Sequence, residues 1–408
     1  MSFQQGLSGL NIASANLSAI GNNVANASTV GFKAARAEFS DVYANSLGGG
    51  LSIGIGAQVS AVKQQFTQGN IVTTSNPLDL AINGAGFFRM TSNGTVTFER
   101  NGQFSLDKNG FIVNNNGAHL TGYQADSNGQ IVASTPADLQ ISLANISPRP
   151  TGTASVALNL DSRSTPPVAA FDMNDPTTYN SSTAMTVYDS QGNSHSLTTY
   201  FRETSANNWV VYASADGTQL VGAAGAGTPL GALAFGANGL LAANVTINPS
   251  ITLTNGAASP LAFPLTFPQS AMTQFGVTFA VSQLSQDGFT TGRISGFAVG
   301  DDGVVLGRYT NGQTRAQGQV VLGNFINAQG LAAIGNNQWV ETSSSGQALV
   351  SAPGSGSLGT LQSGALEEAN VDLTEELVSM ITAQRVYQAN AQTIKTEDQV
   401  MQTLVNLR

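Results

Sequence analysis

The chain has 408 residues, of which 45 are glycine and none is cysteine, and its formal net charge is −9. Without cysteine it has no disulfide framework, thiol nucleophile or thiolate metal site, and its acidity disfavours nucleic acid and anionic membranes as partners. With histidine only at His119 and His195, a histidine-based metal or acid–base centre is also disfavoured.

Residues 2–26 are predicted to form one long helix. They contain no proline, and apolar residues recur every seven positions, as in helices that pack in coiled coils. The main apolar row is Phe3, Leu10, Leu17 and Val24. A second row, offset by three positions, is Ala13, Ile20 and Ala27. Gly31 follows the pattern and is a suitable stop signal.

The middle of the chain, from about 71 to 358, is predicted to be antiparallel β structure. Short alternating runs are separated by glycine and asparagine at intervals of roughly 8–12 residues. Asp-x-x-Gly turns occur at 107–110, 126–129 and 189–192, with a shorter version at 302–303. None has the ligand density of a calcium-binding loop, so hairpin turns explain them better than metal sites.

Residues 371–407 contain neither proline nor glycine and are predicted to form a second long helix. Asp372 or Thr374 is suited to cap its start, with Glu375 and Glu376 in the favourable first turn. Its apolar rows are Leu373, Met380, Tyr387, Ile394 and Met401, and then Leu377, Ala391 and Val405. The opposite, uncharged face includes Gln388, Gln392, Gln399 and Gln402.

These patterns predict a mainly β fold with long helical termini. The helices form a coiled-coil-like inner domain, followed by two nested antiparallel β domains. The predicted segments are the helical inner domain (1–30 plus 370–408), a connector (31–70 plus 359–369), a first β domain (71–147 plus 288–358) and an inserted outer β domain (148–287). Within the connector, the glycine-rich stretch 45–55 is predicted to be mobile.

Two short motifs match catalytic or cofactor-binding patterns, but their context argues against both. Residues 50–54 match a nucleophile elbow, which needs a strand before it and a helix after it, whereas glycines precede it and a β-like run follows. Residues 354–359 match a dinucleotide fingerprint, yet Pro353 precedes them and no βαβ unit surrounds them. His119 and His195 are interpreted as ordinary histidines of a β surface. We therefore predict no enzyme activity, no cofactor and no metal.

The end of the first helix resembles the N-terminal signature of the bacterial flagellar rod and hook protein family. The matching positions are Asn22, Asn23, Ala25, Asn26, Thr29, Gly31, Phe32 and Lys33. Residues 365–372 and 381–390 are similar to the family's C-terminal signature, and the first β domain matches in style. The resemblance covers most of the chain apart from about 148–287.

The resemblance implies a structural subunit of the flagellar hook, with a distal rod subunit as the alternative. Such subunits leave the cell through the flagellar type III export apparatus without a cleavable signal peptide. Outside the cell they polymerise into a curved tube that transmits torque to the filament. The implied partners are further copies of the chain, the rod, the hook cap and the hook–filament junction proteins. Neither nucleic-acid binding nor direct membrane insertion is expected.

For the two helices, the resemblance implies that some side chains form the core of the polymer and that others line its central channel. The predicted core residues are Phe3, Leu10, Leu17, Ile20, Val24, Leu373, Leu377, Met380, Tyr387, Ile394 and Met401. The predicted channel-facing residues are Gln388, Gln392, Gln399 and Gln402. From the residues alone, two other interpretations stay open: the helices pair within one chain as ordinary core, or the hairpins belong to a secreted adhesin or glycan-binding module.

Overall fold

The structure is a computed structural model. The residues that it describes are 2–42, 54, 56–126, 128–222 and 228–406. The predicted mobile stretch at 45–55 and the elbow-like motif at 50–54 therefore lie outside the described residues, apart from Gly54.

Both predicted terminal helices are confirmed. Helix α1 is Ser2–Ala25 and helix α2 is Leu373–Asn406. At 1.5 Å per residue they are about 36 Å and 51 Å long. The Oδ1 atom of Asp372 accepts hydrogen bonds from the backbone N–H groups of Thr374 (2.8 Å) and Glu375 (3.2 Å), so Asp372 caps α2. Among the described residues, no helix has an apolar stretch that could span a bilayer.

The chain divides into two units. Unit 1 comprises 1–143, 296–308 and 314–408, and unit 2 comprises 144–295 and 309–313. The predicted insert, 148–287, falls inside unit 2, so the chain leaves unit 1, forms unit 2 and then returns.

Unit 1 contains the helices and a large antiparallel sheet. The strands of its first half are β1 (Ala35–Val42), β2 (Gly56–Gln64), β3 (Ile71–Thr73), β4 (Leu80–Asn83), β5 (Phe87–Ser92), β6 (Thr95–Glu99), β7 (Phe104–Leu106), β8 (Ile112–Asn114), β9 (His119–Gln124) and β10 (Ala137–Asp138). Phe87, Phe98, Phe325 and Trp339 pack edge to face in its aromatic core.

Unit 2 is built from sheets with fewer strands than the main sheet of unit 1. Its strands are β11 (Ala154–Asp161), β12 (Ser181–Tyr188), β13 (Ser194–Ser205), β14 (Asn208–Ala215), β15 (Gln219–Val221), β16 (Gly231–Ala234), β17 (Val245–Ile247), β18 (Ser250–Ile251), β19 (Leu261–Ala262), β20 (Leu265–Phe267), β21 (Thr273–Phe275) and β22 (Ala280–Gln286). Trp209, Phe201 and Phe267 are fully buried in its core.

The remaining strands bring the second half of the chain back to the first. They are β23 (Ile294–Val299), β24 (Val304–Tyr309), β25 (Thr314–Val320), β26 (Leu322–Asn324), β27 (Ala332–Gly335), β28 (Gln338–Val340), β29 (Leu349–Ser351), β30 (Thr360–Ser363) and β31 (Ala365–Glu367). The main sheet has the order β23-β24-β25-β9-β5-β6-β28-β27, while β31 pairs with β3 and β30 with β4.

Two features differ from the sequence interpretation. Strand β11 pairs antiparallel with β22, as predicted, but it also runs parallel to β20 and β21, and for these two pairings the predicted antiparallel character of the insert is wrong. Parallel pairing needs a long connection, and more than 100 residues separate these strands in sequence. In addition, β1 and β2 form an antiparallel pair that packs against α1, within the segment predicted as a connector. The β-like run after residue 54 indicated β2, but β1 and the pairing were not predicted.

The predicted Asp-x-x-Gly turns at 107–110 and 189–192 are confirmed as hairpin turns that join β7 to β8 and β12 to β13. The predicted turn at 126–129 contains Ser127, which lies outside the described residues. The Asp107 Oδ1 atom accepts hydrogen bonds from the backbone N–H groups of Asn109 (2.9 Å) and Phe111 (2.7 Å), and Gly110 has a φ of +85°. The fingerprint-like residues 354–359 connect β29 to β30 as a loop rather than opening a helix, which removes their resemblance to a dinucleotide site.

Candidate assembly surface and motif junction

Helices α1 and α2 pack against each other in antiparallel fashion. A Cβ atom on Gly6 would lie 3.0 Å from Ile394 Cγ1, and one on Gly9 would lie 2.5 Å from Asn390 Oδ1. At the other end of the pair, Asn23 Nδ2 donates to Glu376 Oε1 at 2.8 Å. Glycine therefore allows the two helix backbones to approach closely near the start of α1.

The buried seam of α1 is the second apolar row of the sequence. Ala13 and Ile20 are buried, and Gly6 lies seven positions before Ala13 on the same face. By contrast, Phe3 in the main row is 52% exposed. The other main-row residues, Leu10, Leu17 and Val24, are half-buried. The intrachain seam thus consists mostly of small residues and leaves the larger apolar side chains less covered.

Helix α2 shows the same division more strongly. Ala383 is buried against the seam, and Met380 and Ile394 are half-buried. The predicted interface residues that remain exposed on α2 are Leu373, Leu377, Tyr387 and Met401. The predicted channel residues Gln388, Gln392, Gln399 and Gln402 are exposed as well. We call the four exposed apolar residues the α2 apolar surface.

Sequence reasoning missed part of the exposed apolar area. Val378, Ile381 and Val386 are 60%, 51% and 47% exposed, yet they lie outside the heptad rows. Val378 and Val386 also line a groove of about 280 Å³ between α1 and α2, with Ile12 on the opposite wall. These three residues are three and five positions apart along α2, a spacing that could have indicated a further apolar strip on the helix. The search for residues seven positions apart does not detect it.

The family-signature residues divide into a local group and a long-range group. In the local group, Asn26 Nδ2 donates to Asn22 O (2.9 Å) and Thr29 Oγ1 to Asn26 Oδ1 (3.3 Å), which closes the C-terminal end of α1. In the long-range group, Asn23 is buried and exchanges hydrogen bonds with the backbone of Ala35. The signature therefore both ends the helix and fixes the chain that follows it.

Lys33, the last signature residue, reaches a buried ionic junction. Its Nζ atom donates to Glu367 Oε1 and to Thr67 O, both at 2.7 Å. Arg100 Nη1 donates to Glu367 Oε2 at 3.0 Å, and Arg100 Nη2 donates to Gly84 O at 2.8 Å. The side chains of Lys33, Glu367 and Arg100 are 0%, 1% and 4% exposed. We call this triad the motif junction.

One carboxylate in the motif junction serves two cations. Burial lowers the pKa of Lys33, and the pKa of Arg100 is lowered for the same reason, while Glu367 opposes both shifts. Glu367 Oε1 also accepts the backbone N–H of Gly69 at 2.9 Å. Glu367 is therefore the central acceptor of the junction, and removing it would leave two buried cations facing each other.

Asn370 adds a second link between the two ends of the chain. Its Oδ1 atom accepts the backbone N–H of Ala34 at 2.7 Å, and its Nδ2 atom donates to Gln65 O (2.7 Å) and Thr67 Oγ1 (2.8 Å). No role was predicted for Asn370, Glu367 or Arg100 from the sequence. The one signal for Asn370 and Glu367 was that both lie in the segment 365–372, which is similar to the C-terminal signature.

Gly31 shows why the signature requires glycine at that position. Its φ is +70°, a conformation that side chains with a Cβ rarely adopt. A Cβ atom there would lie 2.5 Å from the backbone N of Asn101 and 2.6 Å from the carbonyl carbon of Arg100. Its own N–H donates to Glu367 O at 2.8 Å. Phe32, next to it, is buried.

Family models match the chain in four segments. They are described as flagella basal body rod protein (3–33), flagellar hook protein FlgE/F/G D1 domain (81–159), flagellar basal body protein FlaE D2 domain (159–289) and flagellar basal body rod FlgEFG protein C-terminal (362–407). The first and last segments contain the helices and the signature residues.

Full-length relatives carry one name. The flagellar hook protein FlgE of Escherichia coli (strain K12) and that of Salmonella typhimurium are each 43% identical over 414 residues, covering 100% of both chains. That of Rhizobium meliloti is 32% identical and covers 99% of this chain and 98% of its own. The crystal structure of Helicobacter pylori flagellar hook protein FlgE2 matches with a TM-score of 0.50 at 13% identity, covering 72% of this chain and 100% of that one, which supports the fold alone.

Proposed function

Since this chain belongs to the flagellar hook protein family and is a structural subunit of the hook, we propose that its terminal helices form the core of the hook polymer. In this proposal, neighbouring copies bury the α2 apolar surface, while α1 and α2 stay paired within each copy. The polymer is a curved, flexible tube that passes torque from rod to filament.

The exposure of the α2 apolar surface is the observation that carries the proposal. Leu373, Leu377, Tyr387 and Met401 are between 42% and 61% exposed. Complete burial of such a side chain contributes about 1.5–3 kcal/mol, so covering the remaining exposed part of four of them favours association. Pairing within the chain, the open alternative, covers the small-residue seam and leaves this surface unused.

The geometry of the contact follows from the function. A surface on one copy that binds a different surface on the next copy does not close on itself, and such heterologous contacts generate helical polymers. We propose that the uncharged side chains of Gln388, Gln392, Gln399 and Gln402 line the central channel, where they offer a passing chain no fixed charge to bind.

We further propose where and with what the subunit assembles. It is exported through the type III apparatus. Outside the cell it contacts the rod, the hook cap and the hook–filament junction proteins. The similarity over the full length to proteins named flagellar hook protein FlgE favours a hook subunit over a distal rod subunit. The β domains supply the flexibility of the polymer, because small and weakly charged surfaces can exchange contacts between neighbouring copies as the joint turns.

A matched pair of variants tests the polymer core. Met401→Asp places a charge on the α2 apolar surface, and Gln392→Asp places the same charge on the predicted channel face, about 180° away around the same helix. Both positions are exposed, so the purified full-length monomers are expected to melt at nearly the same temperature as the parent. We expect Met401→Asp to prevent assembly and Gln392→Asp to permit it.

Electron microscopy and sedimentation of the assembled protein provide the readout. Curved tubes from the parent and from Gln392→Asp, with no polymer from Met401→Asp, would support the proposal. Normal assembly of Met401→Asp would rule out this surface as the core. Straight tubes from the parent would favour the rod alternative.

A further inference from the structure

His195 in unit 2 lies between two carboxylates. Its Nδ1 atom is 2.8 Å from Asp216 Oδ2, and its Nε2 atom is 3.4 Å from Asp189 Oδ2. His195 belongs to β13, Asp189 to the turn between β12 and β13, and Asp216 to the turn between β14 and β15. The sequence predicted an ordinary surface histidine, but this side chain is only 13% exposed.

Both ring nitrogens of His195 require a proton to make these contacts. A carboxylate oxygen can only accept a hydrogen bond while it is ionised, and a neutral imidazole carries a single N–H. Only the doubly protonated ring can therefore donate to Asp216 and Asp189 at once. The positions of the two carboxylates select the charged form of the histidine.

The two carboxylates are themselves held in the ionised form. Asp189 is fully buried, and burial alone would raise its pKa. Donors that include Asn193, Asn255 and the backbone N–H of Gln191 outweigh burial, so the pKa lies below its usual range. Burial also opposes ionisation of Asp216, yet the hydrogen bonds from His195 and from the Ser196 N–H lower its pKa.

A metal ion is the competing explanation for a histidine beside two aspartates. The described residues contain no group of three or more histidine, aspartate or glutamate side chains with the geometry to hold a metal. Asp189 is already occupied by amide donors: Asn255 Nδ2 at 2.6 Å and Asn193 Nδ2 at 3.0 Å. These amides and the histidine ring all contact Oδ2, and the backbone N–H groups of Gln191 (2.8 Å) and Asn193 (2.9 Å) donate to Oδ1, so both oxygens are accounted for without a metal.

We propose that His195 is a proton-dependent clamp that ties the β12–β13 turn to the β14–β15 turn of unit 2. Through Asp189, the clamp also reaches the loop between β18 and β19, which contains Asn255. When the ring loses its second proton, one of the two carboxylates loses its hydrogen bond from the ring, and the two turns are no longer tied together through His195. Among the described residues, Asp189 and Asp216 are the charged groups that the ring faces.

The direction of the pH effect follows from the shift of the histidine. Burial alone disfavours the charged ring, but the hydrogen bonds and charges of Asp216 and Asp189 outweigh it and raise the pKa of His195. A folded-state pKa above the unfolded value means that the stabilisation is complete below the unfolded value. It is then lost as the pH rises through the folded value.

Nuclear magnetic resonance of the histidine rings in the full-length monomer tests the clamp. The sequence contains only His119 and His195, and His119→Gln assigns the two signals. We expect His195 to titrate at a higher pH than a histidine of the unfolded chain and to carry protons on both nitrogens below that midpoint. Asp216→Asn is expected to lower that midpoint. Asparagine tolerates the positive φ of +50° found at Asp216, so the turn itself is preserved.

Asp138→Asn is the matched control, because Asp138 Oδ2 lies 2.8 Å from Nδ1 of His119. It removes a carboxylate from the other histidine and should leave the His195 midpoint unchanged. A second readout is the amide of Ser196, which donates to Asp216 Oδ1. Its protection factor is expected to fall above the His195 midpoint in the parent and to show no such step in His195→Gln. A His195 midpoint at or below that of the unfolded chain, or one unaffected by Asp216→Asn, would overturn the clamp.

Discussion

Lys33 Nζ lies 2.7 Å from Glu367 Oε1, although 334 residues separate the two in sequence. Lys33 ends the N-terminal signature and Glu367 lies in the C-terminal one. Arg100, which follows strand β6, pairs with the other carboxylate oxygen of Glu367. The two signatures are therefore halves of one buried junction that joins the helical ends of the subunit to its β structure.

Glu367→Gln is expected to destabilise unit 1 strongly. The substitution removes the only anion of the motif junction and leaves the buried Lys33 and Arg100 uncompensated. Breaking a buried ion pair in this way costs about 3–5 kcal/mol. Denaturant unfolding of the 5-fluorotryptophan-labelled protein measures it, since the fluorine signal of Trp339 reports on unit 1 and that of Trp209 on unit 2.

The control for Glu367→Gln is Glu38→Gln. Glu38 pairs with Lys63 at 2.8 Å, but these side chains are 41% and 45% exposed. Solvent screening limits such a pair to less than about 1 kcal/mol. Equal effects of the two substitutions on the Trp339 signal would contradict the structural importance of the junction.

Glu99 gives unit 1 a pH dependence of its own. Burial raises the pKa of Glu99 from 4.5 to about 7, although Gln338 and Asn114 donate hydrogen bonds to its carboxylate. Because the folded pKa exceeds the unfolded one, this group's stabilisation is complete below about 4.5 and is lost as the pH rises through about 7. A shift of that size, at about 1.4 kcal/mol per pH unit, corresponds to roughly 3 kcal/mol.

Glu99→Gln is expected to remove that loss. The free energy of unfolding of the parent minus that of Glu99→Gln, measured from the Trp339 signal, should fall between pH 4.5 and 7 and level off above. Taking the difference cancels the other carboxylates of unit 1. A difference that stays constant over this range would show that Glu99 ionises normally.

Gly31→Ala is expected to destabilise unit 1 by more than the cost of backbone strain alone. The new methyl group would meet the backbone of Arg100 and Asn101, which cannot turn away as a side chain can. Gly94→Ala is the control, since Gly94 has a φ of +81° but no atom within 4 Å of a Cβ position. A left-handed alanine costs about 1–2 kcal/mol. We expect Gly94→Ala to lose about that much and Gly31→Ala clearly more, on the same Trp339 signal.

Amide exchange along α2 should reveal where α1 ends. Gly6 lies against Ile394, so in the antiparallel pair Ser2 reaches about as far as residue 398. We expect protection in the monomer to decline beyond 398, because residues 399–406 extend past α1, and to rise there on polymerisation. Uniform protection of α2 in the monomer would contradict this, as would an unchanged pattern in the polymer.

Local chemistry made part of this molecule predictable. The heptad spacing located α1 and α2 to within a few residues, and the Asp-x-x-Gly turns located hairpins such as β7–β8. The seam was harder, because both apolar rows of α1 are compatible with a coiled coil. The pattern cannot say that the small row, with Ala13, faces the neighbouring helix.

Contacts between distant segments were not predictable from local pattern. Nothing in the sequence around Lys33 identifies Glu367 as its partner, because pairing across 334 residues depends on the whole fold. The parallel alignment of β11 with β20 is hidden for the same reason. The two partners of His195 could not be identified from the sequence either, because Asp216, which binds Nδ1, lies 21 positions away.

The motif junction also sets the order in which the subunit can mature. A chain is synthesised from its N-terminus, so Lys33 exists long before Glu367, and the contact has to wait for almost the entire polypeptide. Until then the segment after α1 lacks the hydrogen bonds that Glu367 accepts from Lys33 Nζ and from the N–H of Gly31. The junction therefore cannot close before residue 367 has been synthesised. An incomplete subunit is one whose two ends have not yet met.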